Sequence, residues 1–127
     1  MAKLLSHAPQ RLHHHAYVVK DQEKNRQFFE DVLGIPLTAT WCEKHFNSAV
    51  GREVAFCHTF YSLADGGALA FFAFADEEVY AKTQAAKPAE IRSFDHIAFK
   101  VDEDGYDELV TRIKAAGVKL RETDHGY

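Results

Sequence analysis

Apolar residues in this chain follow two rhythms, and the pair of rhythms recurs. From Leu12 to Val19, and again from Phe94 to Val101, aromatic and β-branched residues alternate with the period of a strand. With His14 laid on His96, Ala16 meets Ala98, Tyr17 meets Phe99 and Val19 meets Val101, an offset of 82 residues. An acidic start follows each strand, Asp21 in the first copy and Asp102 to Asp104 in the second. Asp21 is placed to cap a helix, because a carboxylate there can accept from the first free backbone N–H groups. Phe28, Phe29, Val32 and Leu33 then form an apolar stripe that ends at Gly34. In the second copy Tyr106, Leu109, Val110 and Ile113 fall at i, i+3, i+4 and i+7, and Gly117 ends the helix.

Three more strands are predicted after the first helix: Pro36–Trp41, Glu53–Leu63 and Gly67–Phe74, the last two joined by a turn at Ala64-Asp65-Gly66-Gly67. The first copy, about residues 11–75, therefore reads β-α-β-β-β. Residues 76–92 are polar, contain Lys87-Pro88, and read as an irregular linker. The second copy, 93–127, has counterparts only for the first strand, the helix and a short strand near Val118–Leu120. The fold class expected is α+β, a single domain of paired βαβββ modules with the second incomplete at the C-terminus.

Composition narrows this picture without changing it. Hydrophobic residues make up 46% and aromatics 13%, enough for a core in a chain of 127 residues. The net charge is −4 and the basic residues are scattered, which argues against a nucleic-acid partner. The longest apolar run, Ala68–Ala75, is too short to span a bilayer, and the first residues lack the apolar stretch of a secretory signal. No membrane partner and a cytoplasmic location are expected. Cys42 and Cys57 form no CxxC pair and no disulfide framework; they read as small apolar residues on strands.

The eight histidines are the candidate chemistry. Strand alternation sorts them. His96, Ala98 and Lys100 share one face, while Ile97, Phe99 and Val101 share the other, which should lie against the helix. His96 then points to the concave side of the sheet, and by the repeat so does His14. Two imidazoles from distant points would converge on one surface, where imidazole is the usual ligand for iron, zinc, manganese or nickel. His13 and His15 face the other way. Asp95 and His13 occupy matching places and could orient the ligands. His58 lies on the second-last strand of the first module, and the pattern leaves its face open.

The set His14-x-Ala16 with Asp21 following, Phe28-Phe29-x-x-Val32-Leu33-Gly34, and Phe94-Asp95-His96-Ile97-Ala98-Phe99 leading to Ala116-Gly117-Val118 resembles the vicinal-oxygen-chelate superfamily. That superfamily contains glyoxalases, bleomycin-resistance proteins and extradiol dioxygenases. The resemblance implies two modules forming a curved cup, in which two histidines and one or two carboxylates hold a divalent metal that chelates neighbouring oxygens of a substrate. It implies His14 and His96 as metal ligands, with Fe(II) as the expected metal and Mn(II), Zn(II) or Ni(II) as alternatives. His125 falls where extradiol dioxygenases carry a substrate-contacting histidine, and with His58 it is a catalytic candidate. Phe56, Phe72, Phe74 and Trp41 would line the substrate.

The chain departs from the family at three places. The last carboxylate ligand belongs to a final strand that the sequence does not contain, so a two-histidine, one-carboxylate triad cannot be completed from it. Gly67–Phe74 carries no acid where a glyoxalase has a glutamate. Gly66-Gly67 stands where ring-cleaving dioxygenases have a proton-transferring histidine. A chain cut short, or completion by a second copy, would account for the half-built module, whose open edge argues for a homodimer. The leading expectation is a metal-dependent, extradiol-type dioxygenase acting on a small vicinal-dioxygen substrate, an aromatic one included; the alternatives are a metal-free drug- or metabolite-binding protein of bleomycin-resistance type and a lyase or transferase of fosfomycin-resistance type.

Overall fold

A computed structural model of the chain describes residues 5–7, 9–85 and 96–124. Its centre is one four-stranded sheet: β1 (His14–Val18), β2 (Leu37–Asn47), β3 (Arg52–Ser62) and β4 (Ala68–Phe74), in the order β1-β4-β3-β2. β1 runs parallel to β4, and the other neighbours are antiparallel. A parallel pair needs a crossover between its strands. Helix α1 (Gln22–Arg26), continuing as a π-helical segment Gln27–Val32, begins that crossover. This is the predicted βαβββ module, with β2 running further than expected, to Asn47.

Local chemistry explains the crossover. The Asp21 carboxylate accepts from the backbone N–H of Glu23 and of Lys24, both at 3.0 Å. Gly34 takes φ 75°, a left-handed conformation in which glycine avoids the Cβ clash. The π turn, closed by Leu33 N–H donating to the Phe28 carbonyl at 3.0 Å, accompanies the burial of Phe29 against the sheet. Phe29, Tyr61, Leu69 and Phe71 form the core, with Tyr17 and Val19 packed at its margin. Gln22 secures the helix start from inside: its amide donates to the Cys57 and Phe71 carbonyls at 3.2 and 2.9 Å and accepts from the Thr59 hydroxyl at 3.0 Å.

Three expectations are corrected. First, residues 77–85 of the supposed irregular linker form helix α2 (Glu77–Ala85), whose Val79 is buried. Asp76 starts it by accepting from the Glu78 N–H at 2.9 Å, and the Arg52 guanidinium holds both Asp76 and Glu78. This anchorage depends on a strand 24 residues away, which no local pattern reveals.

Second, the repeat is only half realised. Helix α3 (Glu103–Ala115) forms, starts at Asp102 and is followed by Gly117 at φ 69°, as expected. Residues 96–102 and 118–124, however, carry no strand. Alternation alone does not make a strand: it is stable only when a neighbour satisfies its N–H and C=O groups. Ile97 packs instead on the first module's core, while Phe99 and Val101 remain 37% and 41% exposed. Phe94 and Asp95 lie outside the described residues.

Third, Cys42 and Cys57 are joined by a disulfide across β2 and β3. Their residues are directly opposed in the register, with Cα atoms 4.1 Å apart. Cys42 is exposed rather than buried.

Candidate functional site

The sheet has two unlike faces. One, carrying Tyr17, Tyr61, Leu69 and Phe71, is covered by the first helix. The register fixes what lies on the other: Trp41 opposes His58, His58 opposes Phe72, and Phe56 opposes Phe74. Residues directly opposed project to the same side. His14 and Ala16 of β1 share this second face, since they pair with Ala68 and Ala70. His14, His58, Phe56, Phe72, Phe74 and Trp41 are therefore together on one surface, opposite the core.

Their rings make a nearly continuous row. His58 stacks on Phe72 with ring centres 3.7 Å apart and an angle of 17°. Phe72 continues to Phe74, stacked at 6.4 Å, and to Phe56 edge-on at 5.6 Å. His45 stacks on Phe56 at 5.6 Å. Phe60 lies 4.3 Å from His58 and 5.5 Å from His14. Trp41 stands at the rim, 59% exposed. Offset and edge-to-face arrangements of this kind present π faces and edges to a planar ligand.

His58 is the singular group on this surface. It is buried, at 7% exposure, and its Nε2 has no hydrogen-bond partner. Burial first, and the neighbouring His14 second, push its imidazole below the ordinary histidine value, so it is neutral at physiological pH. A buried polar atom left without a partner costs about 1–3 kcal/mol. Such a cost is commonly retained where a ligand supplies the missing partner.

The structure separates the expected metal pair. His14 is on the aromatic face, whereas His96 lines a cleft of 1280 Å³ on the opposite, helix-bearing side, with Tyr17, Phe29, Ile97, Leu109 and Ile113. Among the described residues no three His, Cys, Asp or Glu side chains are gathered where an ion could sit. A divalent ion on His14 and His96 therefore does not fit a single chain, and no chemical step is derived through one. His125 lies outside the described residues. His15 behaves as expected, turned to the helix side with its Nδ1 3.0 Å from the Tyr17 hydroxyl. His13 does not: it precedes β1, and its Nδ1 is 2.9 Å from the Nδ1 of His14.

One residue of this face escaped the sequence reading: Phe60 shares parity with Phe56 and His58 on β3, so alternation alone could have found it. His13, named from the repeat, lies beside His14 rather than turned away from it, because strand parity does not govern a residue just outside the strand.

A βαβββ module with a mixed four-stranded sheet is the unit of the vicinal-oxygen-chelate class. The family model of the Glyoxalase/Bleomycin resistance protein/Dioxygenase superfamily matches residues 11–127, and the chain belongs to that superfamily. Crystal structures of a genomically encoded fosfomycin resistance protein, FosX from Listeria monocytogenes, share the fold. A point mutant with Mn(II) and 1S,2S-dihydroxypropylphosphonic acid matches at TM-score 0.55 and 19% identity, covering 94% of this chain and 79% of that one. A monoclinic form gives 0.53 and 20%, over 90% and 75%. A complex with Mn(II) and sulfate gives 0.51 and 19%, over 94% and 78%. At this identity the likeness extends to the fold alone. No curated protein matches the chain. Among the described residues no helix is long and apolar enough to cross a membrane.

Proposed function

We propose that the chain handles a small, planar, largely uncharged molecule on the face that carries His14, His58, Phe56, Phe72, Phe74 and Trp41. The observation that carries this reading is the aromatic row containing a buried imidazole nitrogen with no partner. Stacking would supply area and orientation, and His58 Nε2 would exchange one hydrogen bond with the ligand.

Within the superfamily this favours an extradiol-type enzyme acting on an aromatic molecule with neighbouring oxygens over a phosphonate-using one. A phosphonate calls for free cations. Among the described residues the one arginine or lysine that strand parity places on this face is Arg52, and it is already engaged by Asp76 and Glu78. Turnover of the extradiol kind would need a divalent ion. His96 would reach His14 only from a second copy of the chain, so the dimer and the His14–His96 site stand or fall together. Binding without turnover, as in bleomycin-resistance proteins, needs the aromatic face only.

The test is titration of the single tryptophan's fluorescence with substituted catechols, simple phenols and alkylphosphonates. Saturable quenching by the aromatic ligands, weakened by Phe72→Ala, is expected. A response to phosphonates alone would contradict the reading. Oxygen uptake in the presence of added Fe(II) then separates the enzyme from the sequestering protein.

A further inference from the structure

From the place of the Cys42–Cys57 bridge in the sheet, we infer that it is a site of reversible thiolation. A small monothiol exchanges onto the sulfur of Cys42, and Cys57 is the resolving cysteine that expels it. The bridge shares the helix-side parity of Thr59 and Tyr61, so its exchange is independent of what binds the aromatic face.

The first observation is the direction of the bridge. It crosses the ladder from β3 to β2, where the two cysteines are directly opposed. A thiolate breaks a disulfide by approaching one sulfur from the side opposite the bond that breaks, so access decides which sulfur is attacked. β2 is an edge strand, and among the described residues no strand lies beyond Cys42. β3 is interior: beyond Cys57 lies β4, with Ala73 opposite it in the register. Cys42 is also exposed, whereas Cys57 is half-buried. Sheet order and exposure therefore select the same sulfur.

The second observation is room. Both cysteines line a cavity of 760 Å³ whose walls include the small side chains of Ala55 and Ala73. That volume suits a small molecule. Lys20 and Lys44 in the lining are matched by Asp21 and Glu43, so the thiol need carry no net charge.

The exchange balances without an oxidant, because one disulfide replaces another. The monothiol, as thiolate, bonds to the Cys42 sulfur; the Cys42–Cys57 bond breaks; Cys57 leaves as a thiolate and takes a proton from water. In reverse, the Cys57 thiolate attacks the Cys42 sulfur and releases the monothiol. The strands hold their places meanwhile, since β2 and β3 remain paired from Leu37 to Asn47 and the Gln22 amide still donates to the Cys57 carbonyl at 3.2 Å.

The experiment treats the full chain, under native conditions, with mercaptoethanol and its disulfide. Samples are quenched in acid, and peptide mass mapping reads which cysteine carries the added group. The adduct on Cys42 should exceed that on Cys57 by roughly tenfold or more, with the far-ultraviolet circular dichroism unchanged. Two variants measure the sulfurs apart. With hydroxyethyl disulfide as donor, Cys42 in Cys57→Ser should react roughly tenfold faster than Cys57 in Cys42→Ser. If either variant fails to fold, the distribution in the unaltered chain decides alone. Equal adducts on the two cysteines, or a majority on Cys57, would overturn the site. Exchange that begins only once urea has unfolded the chain would also overturn it and leave the bridge a purely structural one.

Discussion

Residues 11–75 and 93–127 begin with nearly the same pattern and end differently. Both have an alternating segment, an aspartate at a helix start and a glycine in the left-handed conformation after the helix. In the first copy the alternating segment pairs with β4 and packs Tyr17 and Val19, partly buried, against the core of Phe29 and Phe71. In the second, residues 96–102 form no strand, and α3 buries no residue at all. Helix signals are local and are honoured in both copies. Strand signals are conditional: alternation states which face would be buried, and a neighbouring edge decides whether there is a strand.

The largest expected effect should fall on the first copy alone. Phe71→Ala removes a side chain 3% exposed at the centre of the core and should cost about 3–5 kcal/mol in urea unfolding. Ile113→Ala, the equivalent truncation on a helix with no buried residue, should cost well under 1 kcal/mol. Equal costs would mean that the second copy is folded into the same core.

Reduction of the Cys42–Cys57 bridge comes next. The bridge closes a loop with a sequence separation of 15, for which the chain-entropy account gives about 3 kcal/mol. A thermal melt with and without reductant should show a fall for the first module and none in the helicity of α3. An unchanged melt would indicate that the β2–β3 ladder already restricts the unfolded chain.

This bridge also marks the limit of what the sequence allowed. The elements of the first module, the caps at Asp21 and Asp102, the stops at Gly34 and Gly117, and the side of the sheet taken by His14 were all readable, because each depends on near neighbours. The pairing of Cys42 with Cys57 was not. It depends on where the hairpin turns, with Gly51 at φ 68°, and on the register that turn sets by placing Asn47 opposite Arg52. Helix α2 was missed for a similar reason, since the Arg52 clamp on its first turn comes from another element. The site was half legible. Parity placed His14, but His96 was placed by symmetry with a strand that does not form. His58 acquired meaning only once its burial and its unpaired Nε2 were visible.

The smallest effect sharpens the comparison most finely. The two helix caps are chemically alike, with Asp102 accepting from the Gly105 N–H at 2.9 Å much as Asp21 accepts in the first copy. Asp21→Ala should lower global stability by about 1 kcal/mol, because its helix is part of the core. Asp102→Ala should reduce α3 helicity in circular dichroism and leave the global unfolding midpoint unchanged. A global loss from Asp102→Ala would show that the second copy is coupled to the first more tightly than its exposure implies.

The central claim is that function resides on the aromatic face of the first module rather than in the cleft beneath the second. Chemical-shift mapping of the isotopically labelled chain, titrated with a catechol that quenches Trp41, tests it most directly. The account predicts the largest shifts at His14, Trp41, Phe56, His58, Phe72 and Phe74, with Ile97, Leu109 and Ile113 unmoved. Shifts confined to Phe28, Ile97, Leu109 and Ile113 would contradict it and transfer the site to the other side of the sheet.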